Sequence, residues 1–200
     1  MGSQERNALI LKHAAELFAE RGISATTVRD IAGRAGILSG SLYHYFPSKD
    51  ALADQIVMSY LGALIGEYEQ IVASPLDARE ALTRLALASS RVSSVHTHAS
   101  EIFQRETAYL RQLPSHEAIR AATRTIRETW VTVLERGRAA GELRADLPVE
   151  LLYLLIRDAV WLTLRSFAPT DDIDADALAA GVVSVFLDGA AVRTSGTGAE

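Results

Sequence analysis

The sequence contains no cysteine, which excludes a disulfide framework and any metal site built from thiolates. It has no run of about 18 apolar residues, so no membrane-spanning helix is predicted. Its first residues lack the sustained apolar stretch and the small-residue cleavage site of a signal peptide. We therefore expect a cytoplasmic protein without a membrane partner.

The motifs of common catalytic sites are also missing. Neither G-x-S-x-G, nor a P-loop, nor H-E-x-x-H occurs, and each of these carries a specific chemistry. His96 and His98 are two residues apart and would project to opposite sides of a helix, so they cannot share a metal ion. We expect no enzyme activity, no cofactor and no metal site.

Strand-like alternation of apolar and polar residues is absent, whereas helix stop signals recur at regular spacing. With 48% hydrophobic residues the chain can bury a substantial core, and an all-α fold is predicted. Helices are expected at residues 3–20, 39–45, 48–73, 74–95, 101–112, 114–140, 148–167 and 174–192, with one more short helix that Thr26 or Thr27 caps and Gly36 ends.

The stretch 26–52 has the pattern of two short helices joined by a tight turn. Val28, Ile31, Ala32 and Ala35 form one apolar stripe at helical spacing. Gly36 tolerates the left-handed conformation that ends a helix and turns the chain. The second short helix stops before Pro47, since a residue that precedes proline avoids the helical region.

The second of these helices presents small and polar-tipped side chains. Hydroxyl and imidazole groups can donate to phosphate oxygens or meet base edges in a major groove. We therefore predict a DNA-binding surface. It comprises Thr27, Arg29, Ser39, Gly40, Ser41, Tyr43, His44, Tyr45 and Lys49. Thr27, Tyr43, Tyr45 and Lys49 are expected at the DNA backbone, and Ser39, Ser41 and His44 at the bases.

At this stretch the chain resembles the TetR family of transcriptional repressors. The matching positions are Thr27, Val28, Ile31, Ala32, Ala35, Gly36, Gly40, Leu42, Tyr43, Phe46, Ser48, Lys49 and Leu52. Leu38 departs from the family pattern, which has a capping Ser or Thr there, so the cap is expected at Ser39. Tyr45 replaces the usual His. The resemblance implies helices throughout and dimerisation through the last two.

The charge is divided unevenly along the chain. The net charge is −5, but residues 1–50 hold six Lys/Arg against five Asp/Glu. The acidic excess lies in the remaining residues. Local rather than total charge governs attraction to phosphate, so the acidic total is compatible with DNA binding.

The helix predicted at 148–167 is apolar around almost its whole circumference. A helix of that kind must be covered on all sides. The chain's own core can cover one side, and a partner subunit would cover the other. The last helix has a similar apolar stripe, formed by Leu178, Val182, Val185 and Phe186. Two such helices from each of two subunits would form a four-helix bundle, although a purely internal core helix is the alternative.

Arg157 interrupts this apolar helix, and Trp161 lies one turn further on the same face. A guanidinium beside an indole suits a ligand that joins a phosphate or carboxylate to a ring system. The alternative is an Arg paired with an acidic residue across a dimer interface. The segments 20–50 and 156–167 resemble the TetR-type repressors of ketosteroid and cholesterol catabolism. That resemblance favours Arg157 and Trp161 as contacts to a coenzyme A thioester.

These expectations combine into an N-terminal three-helix bundle with a helix-turn-helix at residues 1–48. It would be joined to a larger helical ligand-binding and dimerisation domain at 49–192, followed by a flexible tail at 193–200. The predicted function is a homodimeric repressor that binds a near-palindromic operator and is released by a small-molecule effector, an acyl-CoA. A repressor that responds to a hydrophobic drug or a free fatty acid is one alternative. A helical module or enzyme without a DNA role is the other.

Overall fold

The computed structural model describes residues 2–166 and 174–190, which form helices joined by turns and contain no strand. The helices in this part of the chain are α1 (Ser3–Arg21), α2 (Val28–Arg34), α3 (Ser39–Leu42), α4 (Lys49–Ala73), α5 (Ala78–Val95), α6 (Thr97–Arg105), α7 (Thr107–Leu110), α8 (His116–Ala139), α9 (Val149–Ser166) and α10 (Ala175–Ala190). The all-α prediction is confirmed. The predicted loop after residue 167 and the tail at 193–200 lie outside the described residues.

The chain divides into two compact units. The first contains residues 2–63 and 92–123, and the second contains residues 64–91 together with the described residues from 124 onward. The predicted boundary at residue 48 lies within the first unit, and the division into a DNA-binding and an effector-binding domain stays a prediction. Every helix in the described ranges is too short or too polar to cross a bilayer.

The first unit is built around α1. The predicted stripe of this helix, Ile10, Ala14, Leu17 and Phe18, is buried, because apolar residues at helical spacing lie on one face that the core covers. Both α2 and α6 pack against α1, and α2 also packs against α3. These contacts hold α2 on the longer α1, and α3 on α2.

The second unit has an aromatic and small-residue core. The Tyr68 hydroxyl and the Ser89 hydroxyl lie 2.6 Å apart, and the Tyr68 ring meets Trp130 edge-on at 6.1 Å between centroids. Helices α9 and α10 pack against each other, and their buried residues include Ile156, Val160 and Val183.

The helices predicted from residues 74 and 101 begin at other residues. Ser74 does not cap α5; its hydroxyl donates to the Gln70 carbonyl at 2.9 Å, beside the end of α4. Asp77 takes the capping role by accepting from the Glu80 amide at 2.7 Å, since aspartate caps as well as serine. The helix predicted at 101–112 begins earlier and is divided into α6 and α7, with Glu106 between them.

Candidate nucleic-acid interface and effector site

The start of α2 is fixed by a reciprocal pair of hydrogen bonds. The Asp30 amide donates to the Thr27 hydroxyl at 3.1 Å, and the Thr27 amide donates to the Asp30 carboxylate at 2.9 Å. The Thr27 hydroxyl also donates to the Asp30 carboxylate at 2.6 Å, and the hydroxyl and amide bonds of Thr27 lower the pKa of this carboxyl. Thr26 is buried and donates to the Gly22 carbonyl at 2.8 Å. Thr27 is therefore the cap, and Thr26 is part of the core.

The turn between α2 and α3 is a Schellman motif. Gly36 has φ of 67°, the Ile37 amide donates to the Ala32 carbonyl at 3.0 Å, and the Gly36 amide donates to the Gly33 carbonyl at 3.3 Å. These bonds satisfy the last carbonyls of α2 and require a left-handed residue at position 36. The turn predicted at Gly36 is present.

The second short helix is shorter than the predicted 39–45. Regular α-helix ends at Leu42, and the chain continues as tight turns in which the Tyr45 amide donates to the Leu42 carbonyl at 2.9 Å. Leu42 and Phe46 are buried and anchor the segment. The predicted cap at Ser39 was wrong, because the capping position is Leu38, which has no side-chain oxygen to accept a bond.

The structure places the predicted DNA-binding residues around α2, α3 and the start of α4. Five of them are exposed and four are partly buried. The exposed residues are Thr27, Arg29, Gly40, Tyr43 and His44, and the partly buried ones are Ser39, Ser41, Tyr45 and Lys49. All nine belong to the first unit.

Lys49 has bonds within the chain that its sequence position did not predict. Its ammonium donates to the carbonyls of Ile23 at 2.7 Å, Thr26 at 3.0 Å and Ser24 at 3.4 Å, which can use all three of its donors. Next to it, the Tyr109 hydroxyl donates to the Asp50 carboxylate at 2.5 Å. Lys49 thus fixes the loop that enters α2, and Tyr109 fixes the start of α4.

Burial, together with the hydrogen bond to Asp50, raises the pKa of Tyr109 to about 12. The phenol therefore stays protonated and available as a donor at neutral pH. Long-range contacts of this kind leave no local signal in a sequence, because Asp50 and Tyr109 are far apart in the chain.

The predicted effector residues lie in the second unit, on α9. The Arg157 guanidinium donates to Asp158 at 2.8 Å and lies 5.5 Å from the centre of the Tyr153 ring. The Arg127 guanidinium of α8 lies 5.9 Å from the same ring and pairs with Glu150. Two cations therefore flank one buried tyrosine. Arg127 has no signal in the sequence, because α8 and α9 are separate helices.

Trp161 is partly buried one turn after Arg157. Nothing in the structure tests whether either residue contacts a ligand, and both assignments stay predictions. Within the described residues, no group of three or more His, Asp or Glu side chains is arranged to hold a metal ion.

An apolar surface remains open on α9 and α10. The exposed fraction lies between 41% and 78% for Leu151, Leu154, Leu155, Leu162 and Val185. Large apolar side chains exposed on packed helices are typical of protein–protein contact surfaces.

Two family models match this chain. Residues 10–56 match the N-terminal domain of bacterial regulatory proteins of the tetR family. Residues 75–190 match the tetracyclin repressor-like C-terminal domain. The chain belongs to the TetR family. Its helix-turn-helix and its larger helical domain are those of a TetR-family transcriptional repressor, and its relatives are regulators rather than enzymes.

Individual TetR relatives include the repressor KstR2. The chain is 41% identical to KstR2 of Rhodococcus jostii over 190 residues, 95% of this chain and 93% of that one. The solved structure of the ketosteroid regulator KstR2 of Mycobacterium tuberculosis aligns with a TM-score of 0.87 at 38% identity, over 94% of this chain and 96% of that one. FadR of Bacillus subtilis, solved with stearoyl-CoA, shares the fold at 24% identity and a TM-score of 0.72, over 91% and 98%.

Proposed function

We propose that this TetR-family chain is a cytoplasmic, homodimeric repressor that binds a near-palindromic operator and is released by an acyl-CoA. The observation that carries the proposal is the stretch 39–46, called the α3 segment, in which Tyr43 and His44 are exposed while the buried side chains of Leu42 and Phe46 anchor the backbone. A rigid polar segment of this kind can act as a recognition helix in a major groove.

In this proposal the nine residues of the DNA-binding surface divide into two roles. Tyr43 and Tyr45 donate to phosphates, Thr27 fixes the start of α2 at the DNA backbone through its bonds to Asp30, and Arg29 adds positive charge beside them. Ser39, Ser41 and His44 face base edges, and Gly40 allows the backbone to approach a DNA strand. Lys49 acts near the DNA backbone too, and its bonds to carbonyls before α2 support a role in orienting the segment. Phosphate contacts set register, while base contacts give sequence preference.

The open surfaces of α9 and α10 support a homodimer. Two copies joined through these helices would bury the exposed leucines in a four-helix bundle. A twofold axis then presents two α3 segments, and their half-sites should be centred about 34–36 Å apart or at a multiple of that spacing. A symmetric pair of half-sites is a near-palindrome.

The pair of guanidiniums around Tyr153 supports an anionic effector. Phosphate groups bind well to planar guanidiniums, and Trp161 offers an apolar face one turn away. KstR2 is named for ketosteroids and the FadR structure holds stearoyl-CoA; both are consistent with a coenzyme A thioester here. The competing interpretations are a free fatty acid or drug as effector, and an Arg157 that pairs with an acidic residue of the partner subunit.

Substitutions in α3 and in the turns that follow it test the DNA-binding roles. Tyr43→Ala should weaken binding to every duplex by a similar factor, since a phosphate contact carries no sequence information. Ser41→Ala and His44→Ala should instead change the ranking of duplexes, at about 1–3 kcal/mol per altered base contact. Gel shifts on a panel of duplexes measure both. A Tyr43→Ala protein that binds normally would remove that assignment.

Substitutions at the effector site test release. Arg157→Ala, Trp161→Ala and Arg127→Ala should leave operator affinity intact but reduce release by an acyl-CoA. The lost coupling should be about 1–3 kcal/mol, or roughly 5- to 150-fold in the required concentration. The matched control is Arg84→Ala, which removes an exposed arginine of α5 paired with Glu80.

The titrations compare a steroid-derived CoA thioester, stearoyl-CoA, free CoA and the free acids. Release by the free acids alone would favour the rival effector class. Variants released as readily as the wild type would refute the assigned site while leaving the DNA-binding roles untouched.

A further inference from the structure

The capping position before α3 carries an exposed leucine. Leu38 is 78% exposed, and its side chain makes no capping bond. Among residues 2–63, all of which the structure describes, Leu38 and Tyr43 are the large hydrophobic side chains that are exposed. The two residues bracket α3 (Ser39–Leu42). The exposed apolar surface of the helix-turn-helix is therefore concentrated at the segment proposed to enter the major groove.

The backbone of Leu38 is held in place although its side chain is open. Its carbonyl accepts from the Ser41 amide at 2.9 Å and from the Leu42 amide at 3.3 Å, and Leu42 is fully buried. Its φ of −70° and ψ of 142° are ordinary extended values. The Cα atom of Leu38 therefore has a fixed position relative to the core. A residue that discriminates between bases needs such a fixed attachment.

A leucine can offer DNA only an apolar contact. It has no donor for a phosphate, and next to the charged backbone it would gain nothing. In the major groove the apolar group that base pairs present is the C5-methyl of thymine. Residues at the N-terminal end of a recognition helix are those that meet base edges. Leu38 occupies this end, next to Ser39.

We infer that Leu38 determines operator specificity by packing against the C5-methyl of one thymine in each half-site. This inference rests on the proposed DNA-binding function and adds a base preference to it. Removing one methyl contact should weaken binding about fourfold, since a buried methylene-sized group contributes ~0.8 kcal/mol. Removing it from both half-sites should weaken binding on the order of fifteenfold, because separate positions add.

The test replaces each thymine of the tightest-binding duplex, one at a time, with deoxyuridine, which removes only the methyl group. Wild type should show one sensitive thymine per half-site. Leu38→Ser should bind the unmodified duplex about as weakly as the wild type binds a duplex that carries deoxyuridine at the sensitive position of both half-sites. Its affinity should no longer depend on whether that position is thymine or deoxyuridine. Leu38→Met, which stays apolar, should keep it.

The matched control is Val95→Ser, which removes an aliphatic side chain that is 79% exposed but lies outside the helix-turn-helix; it should keep the full sensitivity. Sensitivity retained in Leu38→Ser, or no sensitive thymine in the wild type, would overturn the inference while DNA binding by α3 stands. Failure of the wild type to select any duplex would instead overturn the proposed function and the inference together.

Discussion

Folding does not require glycine at position 40, whereas DNA binding as proposed does. Its φ is not positive, and a Cβ placed on it would meet no atom within 4 Å. The chain's own fold therefore has room for a larger residue at this position. If the backbone of α3 approaches a DNA strand at this point, the need for glycine comes from the complex alone.

Gly40→Ala is therefore expected to leave the melting temperature unchanged or to raise it, while weakening operator binding. Alanine is favoured over glycine in helices by about 0.5–1 kcal/mol, and its methyl group would fill the gap to the DNA. Thermal melting and gel shifts measure the two effects separately. Gly62→Ala in α4, where a Cβ also meets nothing within 4 Å, should stabilise without changing affinity. Wild-type affinity in Gly40→Ala would exclude a close approach at this residue.

At the level of elements, α8 approaches the start of α5 through Gly137. A Cβ at this position would lie 2.5 Å from the Cβ of Ala78 and 3.0 Å from Leu143. Because the Ala78 Cβ is attached directly to the backbone, no rotamer change relieves the clash. The start of α5 would have to move relative to α8.

Gly137→Ala should therefore destabilise the protein, by about 1–3 kcal/mol for an overpacked site, even though alanine is the better helix former. For a chain of this length each 1 kcal/mol lowers the melting temperature by about 2–4 °C. Calorimetry on Gly137→Ala and on the Gly62→Ala control gives the comparison. An unchanged or raised melting temperature in Gly137→Ala would show that the two helices tolerate separation.

The helices and their contacts also show which features of the fold can be predicted from the sequence. The buried face of α1 and the turn at Gly36 were predictable, because each depends on residues within a few positions of one another. The start of α5 was not, because Ser74 and Asp77 are both competent caps and only packing selects between them. Contacts between separate helices place the Arg127 guanidinium beside the Tyr153 ring and the Tyr109 hydroxyl against the Asp50 carboxylate. Such pairs leave no periodic signal.

On the scale of the whole molecule, the proposed operator binding requires two subunits. The leucines exposed on α9 are poorly suited to water, and a single chain presents only one α3 segment. A recognition segment of one turn makes few contacts, so operator affinity should depend on two copies acting on one duplex. Replacing an exposed leucine of α9 by a charged residue should separate the subunits while leaving the fold of each intact.

Selection from a library of randomised duplexes, followed by determination of the number of chains bound per duplex, tests the central claim most directly. We expect a near-palindrome with half-site centres about 10–10.5 base pairs apart, or a multiple of that spacing, and an even number of chains on each duplex. Leu155→Asp, at a residue 51% exposed in the single chain, should yield monomers that fail to enrich it. Enrichment of an asymmetric site by one chain, or of no sequence at all, would contradict the account.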